Sequence, residues 1–447
     1  MKHYAIITYG CQMNDHDSEL MEGLLSRMGM SRCESEREAD VAVFNTCCVR
    51  EGAETRALAR AQALVSSKRE RPDMVIAIAG CVAQEKGERL LELLPHVDLV
   101  VGTRDYPRLP ELVERVRASG ERLVAIDSID NPLTVQSPAV RRSALRANVN
   151  IMYGCNNSCT FCIVPKTRGP EWSRPLAQIV AEVRALVADG CREALLLGQN
   201  VNSYRDPEQH DFADLLHALD EVEGLWRIRY TSPNPKDARD RHISAIAACP
   251  KVMESLHLPV QSGSDRVLRE MKRSYNTKRF RQIVERYRAE NPVCALTTDV
   301  IVGFPTETEE DFQATMALFE EVRFDSAYMF HYSPRPGTAS AETLRDDVPH
   351  HVKLERLRRL IDRQNAIGEE INQGEVGRVH EVLVEGPSRL GGGQLAGRTR
   401  TDKTVVFDGP ERLAGTLTPV RIVRAAPFTL FGEAATREPA ELAGAWS

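Results

Sequence analysis

Residues 149–162 read Val149-Asn-Ile-Met-Tyr-Gly-Cys155-Asn-Asn-Ser-Cys159-Thr-Phe-Cys162. A strand-like run delivers a loop with three closely spaced cysteines. Three thiolates on one loop can hold three corners of a cubane iron–sulfur cluster. A structural zinc site normally takes four protein ligands, and no fourth Cys or His lies nearby in the sequence. The segment therefore predicts a 4Fe–4S cluster with one iron left open for a small molecule.

The sequence after this loop alternates strand-like and helix-like segments. The strand candidates are Ala194–Gly198, Trp226–Thr231, Leu256–Val260, Thr297–Gly303 and Tyr328–Tyr332. The helix candidates include Pro175–Ala188, Lys236–Ala248, Ser264–Glu290 and Glu307–Val322. With the strand-like run that begins at Val149, this makes six strands that alternate with helices. The pattern predicts an α/β domain whose parallel sheet curls into a partial (β/α)6 barrel.

Polar and glycine-bearing loops follow most of these strands. Sites on such folds gather at the carboxyl ends of the strands, so these loops predict a cofactor pocket. A turn would explain any single one of them equally well. The candidates for cofactor contacts are Gln199, Asn200, Gln261, Ser262, Ser264, Asp299 and Gly303.

The N-terminal third carries a second set of spaced cysteines. Cys11, Cys47 and Cys81 each follow directly after a strand candidate, at separations of 36 and 34 residues. Neighbouring parallel strands end at one edge of an open α/β sheet, so the three thiols are expected to converge there. Cys48 is expected to point elsewhere. The simpler alternative is three unrelated core thiols. The strand candidates are Tyr4–Tyr9, Val41–Asn45, Val75–Ala79 and Leu99–Val101, and a helix is predicted over Asp17–Met28.

Composition limits the class of protein. The 447 residues suffice for about three domains, and 42% apolar with 27% charged residues is typical of a soluble protein. No apolar stretch is long enough to span a bilayer, and the N-terminal apolar run is too short for a signal peptide, which predicts a cytosolic protein. Eleven cysteines in a reducing compartment are not explained by disulfides. Cys33, Cys191, Cys249 and Cys294 are interpreted as buried free thiols.

The C-terminal region predicts a small β-barrel of about 60 residues. Short alternating runs occur at His380–Glu385 and Val420–Arg424, and Gly397–Phe407 leads into another strand. The net charge of −6 argues weakly against nucleic-acid binding, but basic residues cluster locally. Arg398, Arg400 and Lys403 are candidate phosphate contacts, with a solvated barrel surface as the alternative.

The Cys155–Cys162 triplet resembles the signature of the radical S-adenosylmethionine (SAM) superfamily. Nearly the whole chain also resembles the methylthiotransferase branch, and the C-terminal barrel resembles the TRAM RNA-binding domain. The motifs behind the branch assignment are Gly10-Cys-Gln-Met-Asn14, Asn45-Thr-Cys-Cys-Val-Arg-Glu51, Gly80-Cys-Val-Ala-Gln84, Cys162-Ile-Val-Pro-Lys-Thr-Arg-Gly169, Gly198-Gln-Asn-Val-Asn-Ser-Tyr204, Pro259-Val-Gln-Ser-Gly-Ser-Asp265 and Asp299-Val-Ile-Val-Gly-Phe-Pro305.

This resemblance implies two 4Fe–4S clusters, one at Cys155, Cys159 and Cys162 and an auxiliary one at Cys11, Cys47 and Cys81. In the family, one SAM methylates a sulfur of the auxiliary cluster, and a second SAM yields a 5′-deoxyadenosyl radical. The radical removes a hydrogen atom from carbon, and the methylated sulfur joins that carbon. The implied domains are 1–120, carrying the auxiliary cluster, 141–373, the radical SAM core, and 374–440, the TRAM-like barrel.

Within the family, the chain most resembles members that modify carbon 2 of N6-isopentenyladenosine beside the tRNA anticodon. The implied partners are the tRNA anticodon loop, an electron donor such as flavodoxin or ferredoxin, and the iron–sulfur assembly machinery, with no membrane. The same chemistry on threonylcarbamoyladenosine in tRNA, or on an aspartate of a ribosomal protein, remains open. A non-catalytic iron–sulfur RNA-binding module is the alternative from another class.

Overall fold

The structure is a computed structural model that describes residues 2–48, 51–126, 140–389 and 391–435. The chain forms an N-terminal parallel sheet with helices, a central arc of six strands and a closed C-terminal barrel, which confirms the predicted fold class. Over these residues, no helix is both long and apolar enough to cross a membrane. The predicted domain end at residue 440 lies outside the described residues.

The N-terminal domain is a six-stranded parallel sheet in the order β2-β1-β3-β4-β5-β6. Strands β3 and β4 are buried along their whole length, as expected for a parallel sheet covered on both faces. The strands are β1 (His3–Thr8), β2 (Ser31–Arg32), β3 (Val41–Thr46), β4 (Val75–Gly80), β5 (Leu99–Val101) and β6 (Leu123–Ala125). The helices are α1 (Gln12–Arg27), α2 (Glu51–Gln62), α3 (Val65–Glu70), α4 (Cys81–Lys86), α5 (Arg89–Leu93) and α6 (Leu109–Ser119).

The central domain is an open arc of parallel strands. Two three-stranded sheets, β7-β10-β11 and β12-β13-β14, are joined by a parallel bridge between Ile228 and Val252. The strands are β7 (Arg146–Asn150), β8 (Met152–Tyr153), β9 (Trp172–Ser173), β10 (Glu193–Leu197), β11 (Arg227–Tyr230), β12 (Ser255–His257), β13 (Ala295–Val302) and β14 (Ser326–His331). The helices are α7 (Val164–Arg168), α8 (Leu176–Ala188), α9 (Phe212–Asp220), α10 (Asp240–Ala248), α11 (Asp265–Glu270), α12 (Thr277–Glu290), α13 (Glu309–Val322), α14 (Ala339–Thr343) and α15 (His350–Gln373).

The prediction of one helix over Ser264–Glu290 is wrong, because the chain turns between α11 and α12. Lys272 adopts a positive φ of 51°, and the Asn276 side chain accepts the backbone N–H of Arg279 at 2.9 Å to cap α12. An N-cap Asn is a strong helix-start signal that competes with the helical periodicity around it. The turn between these helices brings Arg273 to the cavity described below.

The C-terminal domain is a closed five-stranded barrel in the order β15-β16-β17-β19-β18. Its core contains Val382, Val384, Phe407 and Ile422, which point inward from alternate strand positions. Arg227 of β11 connects the central arc to the barrel. Its buried guanidinium donates hydrogen bonds to the carbonyls of Glu381 and Arg398. The strands are β15 (Val379–Pro387), β16 (Leu395–Arg398), β17 (Thr404–Asp408), β18 (Leu417–Ala426) and β19 (Thr429–Ala434).

Candidate active site

A single cavity of about 580 Å³ is lined by residues from all three domains. Five cysteines of the two predicted cluster sites line it: Cys11, Cys47, Cys81, Cys159 and Cys162. The remaining predicted ligand, Cys155, lies on the same loop as Cys159 and Cys162. Side chains from the C-terminal barrel, including Lys403 and Phe428, line the same cavity. The structure therefore brings both cysteine groups and the barrel to one cavity.

The three N-terminal cysteines lie where neighbouring strands end. Cys11 follows β1 and precedes α1, Cys47 follows β3, and Cys81 is the first residue of α4 after β4. Strands β1, β3 and β4 are adjacent and parallel, so their carboxyl ends meet at one edge. This placement agrees with the convergence expected from the spacing in the sequence.

Two glycines and a pair of asparagines let these strand ends pack closely. A Cβ added to Gly10 would lie 2.7 Å from the Cβ of Cys47, and one added to Gly80 would lie 2.5 Å from the carbonyl oxygen of Thr46. The Asn14 amide donates to the Asn45 Oδ1 at 3.1 Å, and the Asn45 amide donates to the Asn14 carbonyl at 2.8 Å. These residues form a cradle around the thiols. Sequence reasoning quoted both asparagines within motifs but assigned them no role.

The environment of the N-terminal thiols favours thiolates, the form that binds iron. A hydrogen bond from Cys47 lowers the pKa of the Cys11 thiol to about 6, and the positive charge of Arg168 adds to this effect. A hydrogen bond from Cys48 lowers the pKa of Cys81 to about 7. Cys48 itself is fully buried in the sheet core and does not line the cavity.

The second cysteine loop is fixed by backbone contacts. Cys155 N donates to the carbonyl of Gly169 at 3.2 Å, and Cys162 N donates to the carbonyl of Cys159 at 3.1 Å. Thr160 N donates to the carbonyl of Met271 at 3.1 Å, which anchors the loop to the end of α11. The loop therefore holds its cysteines on a supported backbone.

A partly buried cation faces this loop. The Arg273 guanidinium donates to Cys159 Sγ at 3.3 Å and to the carbonyl of Pro259 at 3.2 Å. Burial raises the pKa of Cys162 to about 12, and it also raises the pKa of Cys155. Metal binding must therefore displace protons from these two thiols, and a nearby guanidinium stabilises the resulting negative charge.

The described residues favour iron–sulfur clusters over a site for a single metal ion. They contain no group of three His, Cys, Asp or Glu side chains arranged to hold a single metal ion. Each cysteine of a 4Fe–4S cluster binds a different iron, so the thiolates need not converge on one ion. The Cys11–Cys47–Cys81 cradle and the supported Cys155–Cys162 loop fit such clusters in donor type and in their position on the cavity.

Three of the predicted cofactor contacts line the cavity: Gln199, Gln261 and Asp299. The Gln199 Oε1 accepts the N–H of Gly154, and its buried Nε2 has no hydrogen-bond partner in the described structure. An unpaired buried donor on a cavity wall fits a polar ligand. Asp299 Oδ2 lies 3.3 Å from His257 Nε2, and His257 also lines the cavity.

The other four predicted contacts do not line the cavity. Three of them form hydrogen bonds within the protein, and the fourth packs against a helix. Asn200 donates to Asp237 Oδ2 at 2.8 Å, and Ser264 donates to Asp311 Oδ1 at 2.6 Å. Ser262 is buried, and its hydroxyl accepts the N–H of Ser264 at 3.1 Å. Gly303 packs against α15, where an added Cβ would lie 2.4 Å from Lys353 Cγ.

The predicted phosphate contacts pair with carboxylates. Arg400 Nε donates to Glu254 Oε2 at 2.8 Å, and Lys403 Nζ donates to Asp325 Oδ1 at 2.8 Å, so both connect the barrel to the central arc. Arg398 pairs with Asp402 within the barrel at 2.8 Å. Their phosphate role stays a prediction, and it would require each cation to exchange or share its carboxylate partner.

A buried ion pair connects α7 to helix α1 of the N-terminal domain. Arg168 Nη2 lies 2.7 Å from Asp17 Oδ2, both side chains are almost fully buried, and Tyr106 donates to the same carboxylate at 3.2 Å. Burial lowers the pKa of Arg168, but the charges of Asp17 and Cys81 more than offset this, so the guanidinium stays positive. Arg168 also lines the cavity.

Breaking this pair should destabilise the protein. We expect Arg168→Gln to lower the free energy of unfolding by about 3–5 kcal/mol, because it leaves the buried Asp17 carboxylate uncompensated. The double variant Arg168→Gln/Asp17→Asn should lose clearly less free energy of unfolding, because it leaves no buried charge without a partner. Denaturant unfolding of the iron-free protein measures both. Arg358→Gln is the matched control, since Arg358 and Asp362 form an exposed pair and its loss should cost at most about 1 kcal/mol. Equal effects of the two Arg replacements would contradict the prediction.

Comparisons with known proteins agree with this architecture. Residues 3–102 match "Uncharacterized protein family UPF0004", residues 149–319 match the Radical SAM superfamily, and residues 373–435 match the TRAM domain. Among solved structures, the chain resembles the radical SAM methyltransferase TsrM from Kitasatospora setae, with a TM-score of 0.55 and 15% identity over 76% of this chain and 74% of that one. At this identity the likeness shows the fold alone.

Two curated relatives align along nearly their whole length. The tRNA-2-methylthio-N6-dimethylallyladenosine synthase of Carboxydothermus hydrogenoformans is 47% identical over 435 residues, which cover 96% of this chain and 99% of the relative. The protein of the same name from Alkaliphilus oremlandii is 46% identical over 97% of this chain and 92% of the relative. Identity of this extent reaches through all three domains, and the chain belongs to the tRNA-2-methylthio-N6-dimethylallyladenosine synthase family of radical SAM proteins.

Proposed function

We propose that this protein attaches a methylthio group to carbon 2 of N6-isopentenyladenosine beside the anticodon of tRNA, with SAM as both methyl donor and radical source. One observation carries the proposal: five cysteines of the two candidate cluster sites line a single cavity that extends to the C-terminal barrel. The reaction requires the transferred sulfur, the radical source and the RNA base to lie next to one another. A cavity lined by both cysteine groups and by the barrel can hold all three. The name and extent of the relatives support the same substrate.

We assign the ligands of the radical cluster to Cys155, Cys159 and Cys162, and those of the auxiliary cluster to Cys11, Cys47 and Cys81. When bound, the clusters supply the electron that cleaves SAM and the sulfur that is transferred. The positive charge of Arg273 at 3.3 Å from Cys159 Sγ offsets the thiolate charge at the first site. Arg168 has the same role toward Cys11 and Cys81 at the second site.

The remaining cavity residues orient SAM and the base. The unpaired Gln199 Nε2 is a donor available to a ligand, and Asp299 is an acceptor on the same cavity. In the net reaction, the carbon 2–hydrogen bond breaks, the hydrogen leaves in 5′-deoxyadenosine and a carbon–sulfur bond forms. The methyl group comes from a second SAM, which leaves as S-adenosylhomocysteine, and cleavage of the first SAM releases methionine with the 5′-deoxyadenosine. The chemistry needs a low-potential electron donor such as flavodoxin or ferredoxin, help from iron–sulfur assembly proteins, and a cytosolic location with access to tRNA.

The proposal predicts a specific product. The anaerobically reconstituted protein, given reductant, SAM and tRNA that carries N6-isopentenyladenosine, should yield 2-methylthio-N6-isopentenyladenosine and 5′-deoxyadenosine. Nucleoside mass spectrometry detects both. Matched tRNA with unmodified adenosine at this position should give at least about tenfold less product, because the isopentenyl group adds apolar contact in the pocket. Methylthiolation only of threonylcarbamoyladenosine, or of a ribosomal protein aspartate, would contradict the substrate assignment.

A further inference from the structure

The barrel presents an unusually exposed aromatic ring at the cavity. Phe428 is 72% exposed, the most of any large apolar side chain in the described residues, yet it lines the cavity that contains the cysteines. It lies between β18 and β19, where Ala426 pairs with Thr429 across the hairpin end. Single exposed apolar side chains are common on protein surfaces, so it is the position of Phe428 on the cavity, and not its exposure alone, that points to a use outside the fold.

The backbone that carries Phe428 is held in place. The Asn372 side chain at the end of α15 donates to the carbonyls of Ala426 and Pro427, both at 3.0 Å. Lys403 Nζ in turn donates to Asn372 Oδ1 at 2.9 Å. Four hydrogen-bonded groups therefore fix the hairpin end against the central arc, and Phe428 is presented on a rigid support.

A second exposed aromatic lies on the wall of the same cavity. Tyr328 on β14 is 50% exposed and stands beside Asp299 in the register of β13 and β14. The ring of His257 meets it edge to face with centroids 6.0 Å apart. His257 is itself fixed by Thr297 Oγ1, at 2.9 Å from its Nδ1.

The chemistry of this surface selects a nucleic acid as occupant. Unpaired RNA bases are bound by stacking on aromatic side chains beside cationic groups that contact the backbone. Lys403 lines the cavity itself, and the exposed Arg424 lies on the same hairpin outside the cavity, with its guanidinium 3.6 Å from the centroid of the Phe431 ring. The cavity continues from Phe428 to the cysteines, and a flat nucleobase can enter it where a folded protein cannot.

We infer that Phe428 and Tyr328 form a stacking surface for an unpaired base of the anticodon loop at the barrel end of the cavity. This inference rests on the proposed function and adds the residues that receive the loop. It gives Lys403 and Asn372 a positioning role, since both act through the hairpin end that carries Phe428.

The test measures binding of a fluorescein-labelled anticodon stem-loop to the reconstituted protein by anisotropy. Phe428→Ala should weaken binding about tenfold, within the range found for loss of one base–aromatic stack. Phe428→Tyr should retain affinity, whereas Phe428→Leu should lose most of it. The dependence of affinity on salt should not change, because stacking releases no counterions. Val423→Ala, at a 47% exposed residue on the same hairpin that does not line the cavity, is the matched control.

Stem-loops that each lack one base of the loop identify the partner. If Phe428 stacks on one base, Phe428→Ala should not weaken binding further once that base has been removed. Tyr328→Leu should likewise weaken binding of the full stem-loop and have no effect once its partner base has been removed. If wild type binds RNA and neither replacement weakens binding, or if no single base couples to them, the inference is overturned while the proposed function stands. If wild type binds no RNA and forms no methylthio product, the proposed function fails, and the inference fails with it.

Discussion

Simultaneous Cys155→Ala, Cys159→Ala and Cys162→Ala replacement should abolish 5′-deoxyadenosine formation. On the proposed assignment these thiolates hold the cluster that delivers the electron to SAM, so a loop without them cannot supply that electron. Iron per chain after reconstitution should fall from about eight to about four, because the auxiliary cluster remains. Chromatography of the SAM cleavage products and iron analysis together measure this result.

The matched control is Cys191→Ala. Cys191 is a buried thiol of the same domain that does not line the cavity, and its Sγ lies 3.2 Å from the carbonyl of Glu193. This variant should retain both iron content and SAM cleavage. An unchanged far-ultraviolet circular dichroism spectrum of the triple variant, together with its remaining iron, provides the check on folding. Normal SAM cleavage by the triple variant would refute the assignment of the radical cluster.

The alternation of strands and helices along the chain, and the placement of the cysteines after strands, could be predicted because both depend on local sequence. Buried parallel strands such as Val41–Thr46 are continuous apolar runs, and a cysteine directly after such a run must lie at the edge of the sheet. The paired placement of Asn14 and Asn45 depends instead on the packing of α1 against β3, since the two residues lie 31 positions apart in the chain. A local reading cannot show which side chains meet across such a distance.

Charged residues were harder to interpret for the same reason. Arg400 in the barrel reads as a free cation in the sequence, but its carboxylate partner, Glu254, lies 146 residues earlier in the chain. An ion pair between domains leaves no pattern in either segment. Nothing in the sequence singles out Phe428 either. The exposure of an apolar residue depends on the tertiary fold and not on the periodicity of the neighbouring strands.

The turn that ends α11 shows a further limit. Periodicity favoured one helix over Ser264–Glu290, and the Asn276 cap was the only local signal against it. That turn places Arg273 beside Cys159, so a detail of secondary structure decides the electrostatics of the site. A capping residue inside a long periodic segment therefore indicates that a new helix begins there.

Replacement of Cys11, Cys47 and Cys81 with Ala should have a different signature from loss of the radical cluster. We expect no methylthio product, because the sulfur site is absent, whereas some 5′-deoxyadenosine should still form at the intact Cys155–Cys162 loop. Iron per chain should again fall from about eight to about four. Nucleoside mass spectrometry and SAM cleavage, measured on the same sample, separate the two signatures. Full product yield from this variant would refute the auxiliary site.

The adjacent Cys47 and Cys48 provide the sharpest comparison within this site. Cys47 lines the cavity with Cys11 and Cys81, whereas Cys48 is buried in the sheet core and lies 4.0 Å from Thr167 Oγ1. The structure therefore predicts that Cys47→Ala removes methylthiolation and about four irons, whereas Cys48→Ala retains the iron, because it removes a hydrogen bond to Cys81 but no proposed cluster ligand. Because the two residues are neighbours and both buried, a general loss of stability would affect the two variants alike. Loss of the auxiliary iron in Cys48→Ala but not in Cys47→Ala would exchange their roles and require a different arrangement of the β3 end.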